Sequence, residues 1–175
     1  MLRFARLFSL LGATVLSGVL LMAATTPRPL ADVTIDMPNG QRARLQDSKG
    51  KVRVIALVST ECGHCAKTVG TLSKLYTAYK AQGVEIFGAA VNEDSNRLLP
   101  AFLAKTKPTF KVGLLSENNT RRLAEFGANE HPFVPIVLFV DRKNVVQFQF
   151  NGDDAVFKAE EVALKGVLEA MLKRK

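Results

Sequence analysis

An α/β domain is what the sequence predicts, on three observations. From Asp32 onward, β-rich apolar runs alternate with segments of helical spacing. Two of the runs, Val52 to Ser59 (VRVIALVS) and Ile136 to Val140 (IVLFV), are apolar without alternation, as suits strands covered on both faces. The chain has 175 residues, enough for one domain with a core of its own and short for two.

The elements follow in order. Val33 to Ile35 and Arg42 to Leu45 flank the turn tripeptide Pro38-Asn39-Gly40 and read as a hairpin. After the strand Val52 to Ser59, Cys62 to Gln82 has helical spacing, with Val69, Leu72, Leu75, Tyr76 and Tyr79 as its apolar stripe and Gly83 as its stop. Val84 to Val91 is the next strand, and Ser95 to Lys105 a helix that must accommodate Pro100. Val112 to Leu115 reads as a short strand, and Thr120 to Phe126 as a short helix ended by Gly127. Ile136 to Val140 turns through Asp141 to Asn144 into an antiparallel partner, Val145 to Phe150. Asp153 or Asp154 is expected to cap a last helix running to about Leu172, burying Val162, Leu164, Val167, Leu168 and Met171.

Residues 1 to 24 differ from this domain. Arg3 and Arg6 precede an uncharged run from Leu7 to Ala24, which as a helix would extend about 27 Å, close to a bilayer's hydrocarbon thickness. The pattern is that of a secretory signal or an amino-terminal membrane anchor. A cut after Ala24 would put the large Met22 at −3, which favours retention. Basic residues ahead of the run place the domain, residues 32 to 175, outside the cytoplasm. Residues 25 to 31 (TTPRPLA), with two prolines, are expected to form a stiff spacer.

Composition narrows the function. Hydrophobic residues make up 47% and charged residues 23%, so wholesale disorder is excluded. The net charge of +8 comes from bases dispersed along the chain without interleaved tryptophan or a basic stripe, so no nucleic-acid partner is expected. Two cysteines are too few for a disulfide-dense scaffold.

Those two cysteines carry the chemistry. Cys62-Gly63-His64-Cys65 follows a buried strand and opens a helix. A helix N-terminus presents unpaired N–H groups and partial positive charge, which favour a thiolate on the first cysteine. The two-residue spacer lets the second sulfur reach the first. Two other readings stand beside this one. One is a permanent disulfide, whose tiny loop would contribute little stability. The other is a copper-carrying site in which His131 joins the cysteines.

With these residues the chain resembles the redoxin group, membrane-associated or periplasmic thiol–disulfide oxidoreductases of the thioredoxin fold. The resemblance runs from about Asp32 to Lys175, through the leading hairpin, the C-x-x-C and the segment Phe133 to Asp141 (FVPIVLFVD). It implies a central mixed sheet flanked by helices and thiol–disulfide exchange with protein thiols and disulfides. It also implies an antioxidant role, an unidentified redox partner and no organic cofactor. The implied site is Cys62 as nucleophile, Cys65 as resolving thiol and a cis peptide bond before Pro135. Val134 and Glu61 would then lie against substrate. Gly63-His64 matches the spacer of protein disulfide isomerases, so His64 is expected to raise the reduction potential. Three positions depart from relatives. Glu61 stands where the family usually has tryptophan, and Ala56 where thioredoxins bury an acid. Ile55 stands where the peroxidase pattern P-x-x-x-[ST]-x-x-C needs proline, although Ser59 fits its hydroxyl place, so peroxidase activity is not expected.

Overall fold

The computed structural model describes residues 26–127, 129–130 and 133–174. The leader and the candidate ligand His131 lie outside them. Among the described residues no helix is long and apolar enough to cross a membrane.

Among the described residues, eight strands form one mixed sheet: β1 (Arg28–Pro29), β2 (Thr34–Asp36), β3 (Arg42–Arg44), β4 (Val52–Val58), β5 (Val84–Ala90), β6 (Lys111–Leu114), β7 (Ile136–Val140) and β8 (Val145–Phe150), in the order β1-β8-β7-β4-β5-β6-β2-β3. β4, β5 and β6 run parallel, and β7 joins β4 antiparallel. Every residue of β4 and β7 is buried, Arg53 of β4 included, as their non-alternating apolar runs lead one to expect.

The pleat divides β4 between two cores. Val52, Val54, Ala56 and Val58 pack with α1 (Gly63–Tyr79), α2 (Ser95–Thr106) and α4 (Glu160–Lys173). Ile55 and Leu57 face the opposite side with Leu30, Val33, Leu45 and Leu123 of α3 (Glu117–Ala124). The fold is the expected thioredoxin arrangement of a mixed sheet between helices.

Several boundaries move for local reasons. The hairpin forms in register Ile35↔Ala43. α1 gives way to a 3-10 turn and stops at Gly83, whose φ of 81° is left-handed. α2 runs through Pro100 as a single helix. α3 starts at Glu117, earlier than expected, because the Ser116 hydroxyl accepts from Asn119 N at 3.4 Å; it stops at Glu125, φ 52°, ahead of Gly127. Asp154 does not cap the last helix. Its carboxylate accepts from Asn151 N at 2.7 Å, and a 3-10 turn, Ala155–Ala159, precedes α4. The inward stripe of α4 is Glu160, Leu164, Leu168 and Met171, which turns Val162 outward to 77% exposure, against expectation.

The spacer is also corrected. Arg28 and Pro29 pair with Val146 and Val145, so this stretch is part of the sheet. Arg28 is buried, donates to Leu123 O at 2.9 Å and ion-pairs Glu125 at 3.1 Å.

Candidate functional site

Two buried parallel strands end at the same level, and the loop after β4 delivers the cysteines to the start of α1. Cys62 is the residue that caps this helix: its Sγ accepts from Cys65 N at 3.1 Å. A sulfur in that position receives a backbone N–H and lies at the positive end of the helix. Cys62 is half-buried, whereas Cys65 is fully buried and takes a hydrogen bond from Ser59 N at 3.4 Å. Burial pushes the Cys65 thiol well above the ordinary thiol range, and its contact with Cys62 adds to the shift. The pair is therefore asymmetric, with one accessible sulfur and one held protonated.

The Val134–Pro135 bond is cis, and the Cys62 thiol points at Val134 O, 3.9 Å away. Pro135 is buried and Val134 half-buried. The site thus gathers Cys62, Gly63, His64 and Cys65 from α1 with Val134 and Pro135 from the loop before β7. Gly63 and His64 are exposed. Glu61 is exposed too, and its carboxylate accepts from Asn92 Nδ2 at 3.4 Å, turned toward the end of β5. Asn92 also accepts from Thr60 N at 3.0 Å, tying the loop before the cysteines to β5.

Two neighbours of the site escaped the sequence reading. Asn92 follows β5 in sequence and meets Thr60 only through the parallel pairing of β4 with β5. Gly152 lies after β8 and donates from its N to Phe133 O at 2.7 Å. A Cβ there would stand 2.6 Å from Val134 O. Only glycine lets this loop pass behind the carbonyl that Cys62 faces. Glu93 and Asp94 are exposed, and Asp94 pairs with Arg97 at 2.9 Å without capping α2. Asp141 shapes its turn as expected, accepting from Lys143 N and Val145 N at 2.8 and 2.9 Å. Tyr76 and Tyr79 pack against the helix-side core. Among the described residues, no three His, Cys, Asp or Glu side chains come together as a metal site.

Comparison with known proteins agrees with this fold. The structure is similar to the thioredoxin domain of a thiol-disulfide oxidoreductase from Bacteroides vulgatus, with a TM-score of 0.67, 20% identity, and 86% of this chain and 100% of that one covered. It is also similar to a secreted Mycobacterium tuberculosis disulfide oxidoreductase homologous to E. coli DsbE, with a TM-score of 0.63, 19% identity, and 79% and 96% covered. In sequence, a glutathione peroxidase of Lactococcus lactis is 39% identical over 59 residues, 34% of this chain and 37% of that protein. A probable phospholipid hydroperoxide glutathione peroxidase of Citrus sinensis is 35% identical over 98 residues, 52% of this chain and 59% of that protein. The chain thus spans between about a third and three fifths of the length of these curated relatives. The AhpC/TSA family model matches residues 27–149, which take in the cysteines, the Val134–Pro135 loop and all eight strands but the last residue of β8, and the chain belongs to the AhpC/TSA family.

Proposed function

We propose that the protein exchanges thiols and disulfides with extracytoplasmic polypeptides, through Cys62 and Cys65. The observation that carries this reading is the asymmetry of the pair: a sulfur capping α1 and facing the Val134 carbonyl, above a buried, protonated one. Cys62 as thiolate attacks one sulfur of a substrate disulfide. The substrate S–S bond breaks, its other sulfur leaves as a thiolate and takes up a proton, and a mixed disulfide remains on Cys62. Cys65 then gives up its proton and attacks Cys62 Sγ, releasing the second substrate sulfur as a thiol. Two electrons have passed to the substrate, and Cys62 and Cys65 are joined. A redox partner restores the dithiol, and oxidation of a substrate dithiol follows the same path backwards.

Segment 1–24 supports placement outside the cytoplasm, as export signal or membrane anchor. Val134, with its carbonyl at the sulfur, is the proposed backbone contact for an extended substrate chain.

Similarity to glutathione peroxidases favours a second reading, in which Cys62 attacks a hydroperoxide. The O–O bond breaks, water or an alcohol leaves, and Cys65 condenses with the sulfenic acid, releasing water. One sample separates the readings. With dithiothreitol as reductant, the purified protein should precipitate insulin through reduction of its disulfides and consume tert-butyl hydroperoxide no faster than dithiothreitol alone. Peroxide turnover without insulin reduction would replace exchange by peroxidation. Stoichiometric copper on the reduced protein, with neither activity, would instead establish the carrier alternative.

Gly152→Ala bears on the role of the loop. The new Cβ must displace the Val134 carbonyl, and small misplacements of reacting partners cost about 10- to 100-fold in rate. We expect insulin reduction to fall by that range while Cys62 still reacts with iodoacetamide at the wild-type rate. Unchanged turnover would remove the loop from the site.

A further inference from the structure

Beside His64 and Pro135 the surface opens into a pocket of about 240 Å³. Two of the residues lining it bury polar atoms that have no hydrogen-bond partner. One is the hydroxyl of Thr68, a residue 0% exposed; the other is Oε1 of Glu160, whose side chain is 4% exposed. The second oxygen of Glu160 holds Lys67 at 3.3 Å, so the carboxylate is half satisfied. Buried acceptors without donors cost free energy, and natural structures rarely leave them so. Whatever completes Glu160 must bring a donor, and a cationic one is favoured most.

The surroundings fit a long cationic side chain. Asp153 and Asp154 line the same pocket and are exposed, as is Lys158, opposite in charge to them, while Phe157 and Pro135 supply apolar wall. The pocket also adjoins the reacting sulfur: Pro135 follows Val134, whose carbonyl Cys62 faces. A second, larger hollow of about 820 Å³ is lined by Val134 as well, and by Asp36, Glu93, Glu117 and Glu130. Its arginine, Arg121, is bound to Glu117 at 2.8 Å. The larger hollow is therefore acidic, and the smaller carries three carboxylates against two lysines, in a chain whose net charge is +8.

We propose that the smaller pocket is a substrate subsite, receiving a lysine or arginine side chain next to the disulfide of a substrate polypeptide. The aliphatic stem lies against Pro135 and Phe157, and the cation is held by Glu160 Oε1, with Thr68 as a further acceptor. This rests on the exchange reading and adds a substrate class to it: polypeptides that are basic around the attacked cysteine.

The test uses two synthetic peptides, each closed by one intramolecular disulfide, with lysine in one and glutamate in the other on both sides of the attacked cysteine. With dithiothreitol as reductant, the full chain should show at least about tenfold higher kcat/KM for the lysine peptide, as expected for a charge-assisted contact near the reacting atoms. Glu160→Gln should cut that ratio about fivefold or more, and Thr68→Val should cut it by a smaller factor. Glu160→Asp should restore part of it, which a merely structural role would not do. If Glu160→Gln fails to fold, the isosteric Thr68→Val carries the test. Equal rates for both peptides, or a ratio that persists in the variants, would overturn the subsite and leave the exchange chemistry standing. Reduction of neither peptide by the wild-type chain would overturn the exchange reading and the subsite with it.

Discussion

Cys62→Ser is expected to abolish disulfide exchange, with a fall of about three orders of magnitude or more, as when a nucleophile is removed from a unit that acts together. No other described sulfur can replace it, because Cys65 is fully buried and its thiol is held protonated. Cys65→Ser should fail at a different step. The first attack remains, since the Cys65 backbone N–H that caps Cys62 Sγ at 3.1 Å survives the substitution. The mixed disulfide then has no internal thiol to resolve it and should accumulate. Non-reducing electrophoresis of each variant, after incubation with oxidised insulin, checks both statements. Adducts should appear with Cys65→Ser and be absent with Cys62→Ser. Equal trapping by the two would overturn the assignment of roles.

The largest effect on stability should come from Arg53→Ala. Arg53, the second residue of β4, is fully buried, donating to Leu45 O at 2.7 Å, to Asp141 O at 3.0 Å and to Asn144 Oδ1. Burial pulls the guanidinium below its ordinary range, and the Asp141 and Glu85 carboxylates pull it back. The side chain therefore joins the hairpin region, β4 and the β7–β8 turn through one buried cation. Truncation takes a donor from three acceptors, of which Asp141 O keeps Asn144 N, and leaves a cavity, a loss of about 3–5 kcal/mol. For a chain of this size that corresponds to a drop in Tm of roughly 10 °C or more. Thermal unfolding followed by circular dichroism measures it, and a shift of under about 3 °C would show that water takes over these acceptors.

How far the molecule can be read from its sequence depends on how local the cause is. β4 and β7 were legible because burial on both faces leaves a run that is apolar without alternation, broken in β4 by Arg53 alone. The hairpin was legible through Pro38-Asn39-Gly40, and the cysteine pair through its place between strand and helix. What stayed hidden depends on distant partners. Arg28 and Pro29 look like spacer because their pairing strand, β8, lies more than a hundred residues on. Val162 looked buried because hydropathy prefers valine to glutamate inside, yet Glu160 takes the inward position and pairs with Lys67. Gly152 and Asn92 carry no motif. Their relation to the site exists only once β8 has brought one loop behind Val134, and β5 has placed another beside Thr60.

The two ends of the sheet also bear on how copies of this protein behave toward one another. An open strand edge is a template for another chain, and the usual outcome is aggregation. Here one edge is β1, two residues long and half proline, with one backbone N–H fewer to offer. The other is β3, three residues long, whose Arg42 and Arg44 are exposed and paired to Asp36 and Asp32. Among the described residues, neither edge offers a long, flat, apolar ladder. The described domain can therefore be concentrated without its own copies stacking edge to edge.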